Sequence, residues 1–209
     1  MDSAVAKVLR AFEKRSERES RAIEQMDWSK MYYRRDEFLL SVGPATGQLL
    51  NLLAKEMQAK TIVEVGSSYG YSTVWLAEAA RETGGKVISL EIHEEKQKHA
   101  RASIEKAGLG GLVDFRLGDA RDLLAKLKSR VDFVLVDLWK DLYIPCFDLF
   151  YPKLQPGALV VADNMIYPEE SRKYATGYRK HIRGKKDMQS VLLHVGTGLE
   201  LSRKKSRSD

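Results

Sequence analysis

The chain has 209 residues, 44% hydrophobic and 31% charged, a balance that excludes wholesale disorder and fits one domain with its own core. No apolar run approaches the ~20 residues of a bilayer span, and one cysteine, Cys146, excludes a disulfide framework and a cysteine-based zinc site. Net charge is +6, but residues 172–209 hold eleven Lys/Arg against Asp187, Glu200 and Asp209, which leaves −2 for the rest. Residues 1–30 are rich in Arg, Glu and Lys and contain no apolar signal core, so a cytoplasmic protein away from membranes is expected. Their sparse apolar positions suggest an exposed or partner-facing helix, and a homodimer through it is one expectation.

Gly43-Pro44 breaks the chain, and 45–57 reads as an amphipathic helix with Leu49, Leu50, Leu53 and Met57 at helical spacing. Strand and helix patterns then alternate. Strands are expected at 61–65, 86–90, 113–117, 131–136 and 158–162, with helices at 72–82, 94–106, 120–127 and 141–151. The near-continuous apolar runs 131–136 and 158–162 fit central strands of a parallel sheet covered on both faces. A helix at 171–183 precedes strands at 189–195 and 199–202, joined by Gly196-Thr197-Gly198 as an antiparallel hairpin. The fold expected is α/β: a doubly wound, mostly parallel, seven-stranded sheet ending in that hairpin, closer to a methyltransferase outline than to a dehydrogenase.

Four loops carry the chemistry. Val63-Glu-Val-Gly66-Ser67-Ser-Tyr-Gly70-Tyr-Ser72 follows the first strand, where glycines let a ligand approach the backbone. It lacks the dinucleotide spacing and the phosphate-loop lysine, and Glu64 beside it would repel a pyrophosphate but suit a cationic amino-acid ligand. A ligand-free strand-to-helix turn is the alternative. Glu91, at the end of the second strand, can accept ribose hydroxyls, although strand ends often carry exposed carboxylates. Asp119 either caps the next helix or, with the Ala120 amide, meets an adenine edge. Asp137 and Asp163-Asn164 follow the two buried strands, so two carboxylates and an amide share one rim, a hard-oxygen set suited to Mg²⁺. Lys140 lies near them, where desolvation would favour a base; simple capping of strand ends is the alternative.

Residues from about 40 to 204 resemble the cation-dependent class I O-methyltransferases, the group of catechol O-methyltransferase and the plant caffeoyl-CoA enzymes. The resemblance rests on Val42-Gly43-x-x-x-Gly47-Gln48, Glu64-Val-Gly66-x-x-x-Gly70-Tyr-Ser72, Asp137-Leu-Trp139-Lys140-Asp-Leu-Tyr143, Asp163-Asn164 and Gly198-Leu-Glu200. The Trp139-Lys140-Asp141 segment is similar to the catechol branch. One methyltransferase domain over 1–209 is expected, and two stretches depart from the family pattern: 1–40, a charged helical extension, and 203–209, a basic, disordered tail. The resemblance implies S-adenosylmethionine as methyl donor and a divalent cation, expected to be Mg²⁺. It assigns Val42, Glu64, Gly66, Ser67, Ser72, Glu91, Asp119, Ala120 and Asp137 to the cofactor pocket. Asp137, Asp163 and Asn164 go to the cation, Lys140 to proton abstraction, and Lys140, Asn164 and Glu200 to the substrate.

The expected substrate is a catechol-like phenol. A modified uridine in transfer RNA, or a non-catalytic RNA-binding role, is the alternative that the basic C-terminal stretch motivates. Trp28, Tyr32, Tyr33 and Tyr71 could line a substrate mouth or simply pack. Cys146 reads as a small buried hydrophobe, and the four histidines show no metal-ligand spacing.

Overall fold

The computed structural model describes residues 2–27 and 33–206; Trp28 and Tyr32 lie outside them. The strands are β1 (Thr61–Val65), β2 (Lys86–Glu91), β3 (Val113–Leu117), β4 (Val131–Val136), β5 (Leu154–Ala162), β6 (Met188–Leu193) and β7 (Leu199–Lys204). The helices are α1 (Ser3–Glu24), α2 (Gly43–Glu56), α3 (Tyr71–Thr83), α4 (Glu94–Lys106), α5 (Ala120–Lys126), α6 (Tyr143–Phe150) and α7 (Arg172–Arg183). One sheet runs in the order β3-β2-β1-β4-β5-β7-β6. β1 to β5 are parallel, and β7 runs antiparallel to both β5 and β6.

Alternation along β4 shows how the two faces are filled. Phe133 and Leu135 join the core under α1 to α4, while Val134 and Val136 join the core under α6 and α7. Both faces are buried, so the strand reads as an apolar run broken only by Asp132. The second core is aromatic, with Tyr143, Phe147, Phe150 and Tyr178 meeting edge to face.

Several expectations are corrected. The N-terminal segment is not simply an exposed helix: Val5, Leu9 and Phe12 of α1 are buried against the chain's own core. Positions 5, 9 and 12 fall on one helical stripe, which the many charges around them obscured. Leu9→Ala should therefore lower unfolding free energy by about 2–4 kcal/mol in a denaturant titration; a loss near zero would mean that α1 is not part of the core. β5 begins at Leu154, four residues early, carrying Pro156 and Gly157 through a register irregularity with β4. The helix expected at 141–151 is α6 flanked by 3₁₀ turns at Lys140–Leu142 and Tyr151–Lys153. β7 extends to Lys204, with Arg203 paired to Leu159 and Lys204 to Met188, so the first two residues of the expected tail are strand. Residues 207–209 lie outside the description. Among the described residues, no helix is long and apolar enough to cross a membrane.

Candidate active site

The candidate site sits at the carboxyl ends of β1, β2, β4 and β5, where an open parallel sheet leaves a crevice. Gly66 has φ +93°, and a Cβ there would collide with the Asp137 carbonyl oxygen, so the β1 and β4 loops touch only because this residue is glycine. Gly70 has φ +97°, and a Cβ there would lie 2.7 Å from the Ala100 Cβ of α4.

Glu64 occupies a core position of β1 and is fully buried. Its carboxylate accepts from Ser72 Oγ at 2.6 Å, Thr73 Oγ1 at 2.7 Å and Ser89 Oγ at 2.8 Å. Burial pushes it up to about 7, against the pull of these hydroxyl donors. Val42, Gly66, Ser67, Ser72 and Asp137 line one cleft together with Leu39, Ser68, Tyr69 and Tyr71. Ser67 Oγ is buried there with no hydrogen-bond partner, a free polar atom of the kind a bound ligand satisfies. Tyr71 is a wall of this cleft with its hydroxyl donating to Glu13 at 3.1 Å, whereas Tyr33 is exposed on the surface.

Glu91 is buried and already busy: it accepts backbone N–H groups from Ser68 at 2.7 Å and from Ile92 and His93 at 2.9 Å. Two of these fall on Oε1, so the ribose role expected of it is left the remaining lone pair of Oε2. For Asp119 the capping alternative is what forms. Its carboxylate accepts from the Arg121 N–H at 2.8 Å at the start of α5, where Ala120 stands first. The Arg121 guanidinium also holds it, lowering it to about 2.

Sequence reasoning missed the roof of the cleft. Leu39, Leu40 and Ser41 lie over it, with Leu40 in the left-handed region at φ +43°. This strap is tied to α1: the Leu39 N–H donates to Glu19 at 2.6 Å, and Arg15 donates to the Glu37 carbonyl at 3.3 Å. Arg15 also sits 4.0 Å over the Tyr69 ring. No short motif marks such a strap, because its partners come from three distant segments.

Asp137, Lys140, Asp163 and Asn164 meet on the rim beside this cleft. The backbone continues the ladder into both loops, Asp137 N–H to Val65 at 2.9 Å and Asp163 N–H to Val136 at 3.1 Å. Lys140 Nζ lies 3.4 Å from Asp137 Oδ1 and donates to the Leu138 carbonyl at 3.0 Å and the Tyr143 hydroxyl at 2.6 Å. Tyr143 in turn donates to the Asp163 carbonyl at 3.1 Å. Burial pushes Lys140 down and Asp137 up. Burial and the neighbouring Asp137 charge push Asp163 up to about 7.

A buried carboxylate, Asp163, and a half-buried one, Asp137, that repel each other, with one ammonium nearby, form a place where a divalent cation would relieve the repulsion. Among the described residues, no group of three or more His, Cys, Asp and Glu side chains gathers for a metal. The rim offers two carboxylates and an amide instead, which leaves positions for water and substrate oxygens.

Glu200, expected at the substrate, is engaged by another side chain in the folded chain. Its carboxylate is wholly buried and held in a fork by Arg183, at 2.6 Å from Nε and 3.0 Å from Nη2. α7 places that arginine against β7, so the carboxylate is engaged within the protein.

Comparison with known proteins follows this geometry. A family model described as O-methyltransferase matches residues 13–205. The chain belongs to the O-methyltransferase family. It is 38% identical over 131 residues to a catechol O-methyltransferase of Niastella koreensis, covering 61% of the chain and 59% of the relative. It is 32% identical to a caffeoyl-CoA O-methyltransferase of Petroselinum crispum, covering 79% of the chain and 77% of the relative. The chain spans about three fifths of the length of the catechol relatives it matches. Among solved structures, an O-methyltransferase of Streptomyces achromogenes in complex with SAM superposes with TM-score 0.76 at 25% identity, covering 99% of this chain and 91% of that one. An O-methyltransferase of Bacillus cereus in complex with SAH gives TM-score 0.76 at 25% identity, covering 98% and 92%.

Proposed function

We propose that the chain transfers a methyl group from S-adenosylmethionine to one hydroxyl of a catechol-like acceptor, assisted by a divalent cation such as Mg²⁺. The observation that carries this reading is the shared Asp137. It lines the cleft with Gly66, Ser67 and Ser72, and it stands on the rim with Lys140, Asp163 and Asn164. A methyl donor in the cleft would thus adjoin an acceptor on the rim. When bound, the donor would supply an electrophilic methyl on sulfonium, and a cation held by the rim residues would supply positive charge that favours the phenolate.

The protein's residues do the rest. Glu64, braced by three hydroxyls, holds the cleft residue Ser72 in place, and Ser67 Oγ is free to bond a ligand. Asp137, Asp163 and Asn164 would hold the cation through oxygen. Lys140, kept weakly basic by burial, takes the acceptor's hydroxyl proton at Nζ while Leu138 and Tyr143 hold it in place. Carboxyl-end loops on a rigid sheet would hold the two reactants next to each other, and that positioning would be the main contribution. The transfer-RNA alternative is not favoured, since the similar enzymes above are named for catechol and caffeoyl-CoA.

Incubation with methyl-labelled S-adenosylmethionine and a catechol should give a labelled O-methyl product. Excess chelator should abolish it, and added Mg²⁺ should restore it. Undiminished transfer in chelator would remove the cation from the mechanism. Labelling of transfer RNA but of no vicinal diol would overturn the substrate class.

A further inference from the structure

Thr197 stands in the turn between β6 and β7, and from the sequence it is only a turn residue. In the folded chain it reaches across to the rim. Its hydroxyl donates to Asp163 Oδ1 at 2.6 Å, and it accepts from Asn164 Nδ2 at 2.9 Å. We infer that Thr197 is a positioning residue, which turns Asp163 and Asn164 so that each presents one oxygen to a divalent cation. The inference rests on the cation reading above and deepens it.

Hydrogen-bond bookkeeping makes the assignment. A carboxylate only accepts, so the single hydroxyl proton of Thr197 is committed to Asp163. The threonine oxygen can then only accept, and the end of the Asn164 amide facing it must be the NH₂. The carbonyl oxygen of Asn164 is thereby the free end. Asp163 Oδ1 also receives the Asn164 backbone N–H at 2.7 Å, so that oxygen is filled and Oδ2 remains. One carboxylate oxygen and one amide oxygen are left, both hard donors.

The turn itself is fixed independently of any ligand. The Thr197 carbonyl accepts the N–H groups of Ile166 at 3.0 Å and Tyr167 at 2.9 Å, and the Gly198 carbonyl accepts that of Met165 at 2.9 Å. A side chain at 198 would collide with Ile166, so the close approach of the two loops depends on glycine beside Thr197. Asn164 has φ +56°, a left-handed conformation that asparagine tolerates better than most residues. Partners of this kind orient metal ligands, and their loss typically weakens metal binding.

The experiment compares the full chain with T197V and T197S, using Mn²⁺ as probe and the paramagnetic signal of free Mn²⁺ as readout. T197V should bind Mn²⁺ about 10–100-fold more weakly, while T197S, which keeps the hydroxyl, should stay close to wild type. S-adenosylmethionine affinity of T197V, measured by calorimetry, should be unchanged, which separates loss at the rim from loss of the fold. If T197V does not fold, T197A against T197S makes the same comparison. Equal Mn²⁺ affinity in T197V and wild type would overturn the role of Thr197 alone. Equal weakening in T197S would overturn it too, since the hydroxyl would not be what matters. If the wild-type chain takes up no Mn²⁺, the cation reading fails first and this inference falls with it.

Discussion

Lys140→Ala is expected to lower the turnover number by about 10²–10⁴-fold, the usual worth of a general base, with S-adenosylmethionine affinity close to wild type. The reason is geometric. Lys140 Nζ faces Asp137 Oδ1 at 3.4 Å and is fixed by Leu138 and Tyr143, but it is not among the residues lining the cofactor cleft. Its removal takes away a proton acceptor and leaves the cleft intact. The sign of the pH dependence follows from its surroundings. A base works when neutral, and burial moves Lys140 below the ordinary lysine value of 10.5. Wild-type activity should therefore rise with pH through a limb lying under that value, and the limb should vanish in the residual activity of the variant. Rapid-quench measurement of the chemical step checks both. Wild-type turnover in the variant would place the base elsewhere.

Gly66→Ala should be comparably damaging through a different cause. The new methyl would collide with the Asp137 carbonyl, and alanine at φ +93° carries backbone strain of about 1–3 kcal/mol. The β4 loop has to move, and with it the one residue shared by the cleft and the rim. A misplacement of this order costs about 10²-fold in rate. The expected result is a folded protein with a lowered melting temperature, weakened cofactor binding by calorimetry and turnover reduced by at least that factor. A variant that binds and turns over normally would mean that the close approach of β1 and β4 is dispensable.

The fold was largely legible because parallel strands buried on both faces announce themselves as apolar runs, as 131–136 does. The gathering of Gly66, Asp137 and Asp163 was legible too, since each directly follows such a run and the topology does the rest. What stayed hidden depends on side chains meeting across the chain. Glu200 looks available in sequence, and only the packing of α7 brings Arg183 onto it. Thr197 looks like turn filler until the turn is folded against Asn164. The start of β5 was hidden by Pro156-Gly157, which reads as a breaker but here sits at an irregularity of the ladder. The stripe Val5, Leu9 and Phe12 was visible in principle, yet charge averaged over thirty residues concealed it.

The antiparallel β7 has a consequence for how the protein is made. It is made after β6, yet its place is in the interior of the sheet, between β5 and β6. A nascent chain that has reached residue 195 already holds β1 to β5 but presents the full edge of β5, an open hydrogen-bonding template flanked by apolar residues. Until Leu199–Lys204 arrives, that edge can pair with another chain as readily as with its own. Premature termination or slow translation near this point should therefore yield aggregation through β5, and a chaperone that shields strand edges would act on this late intermediate.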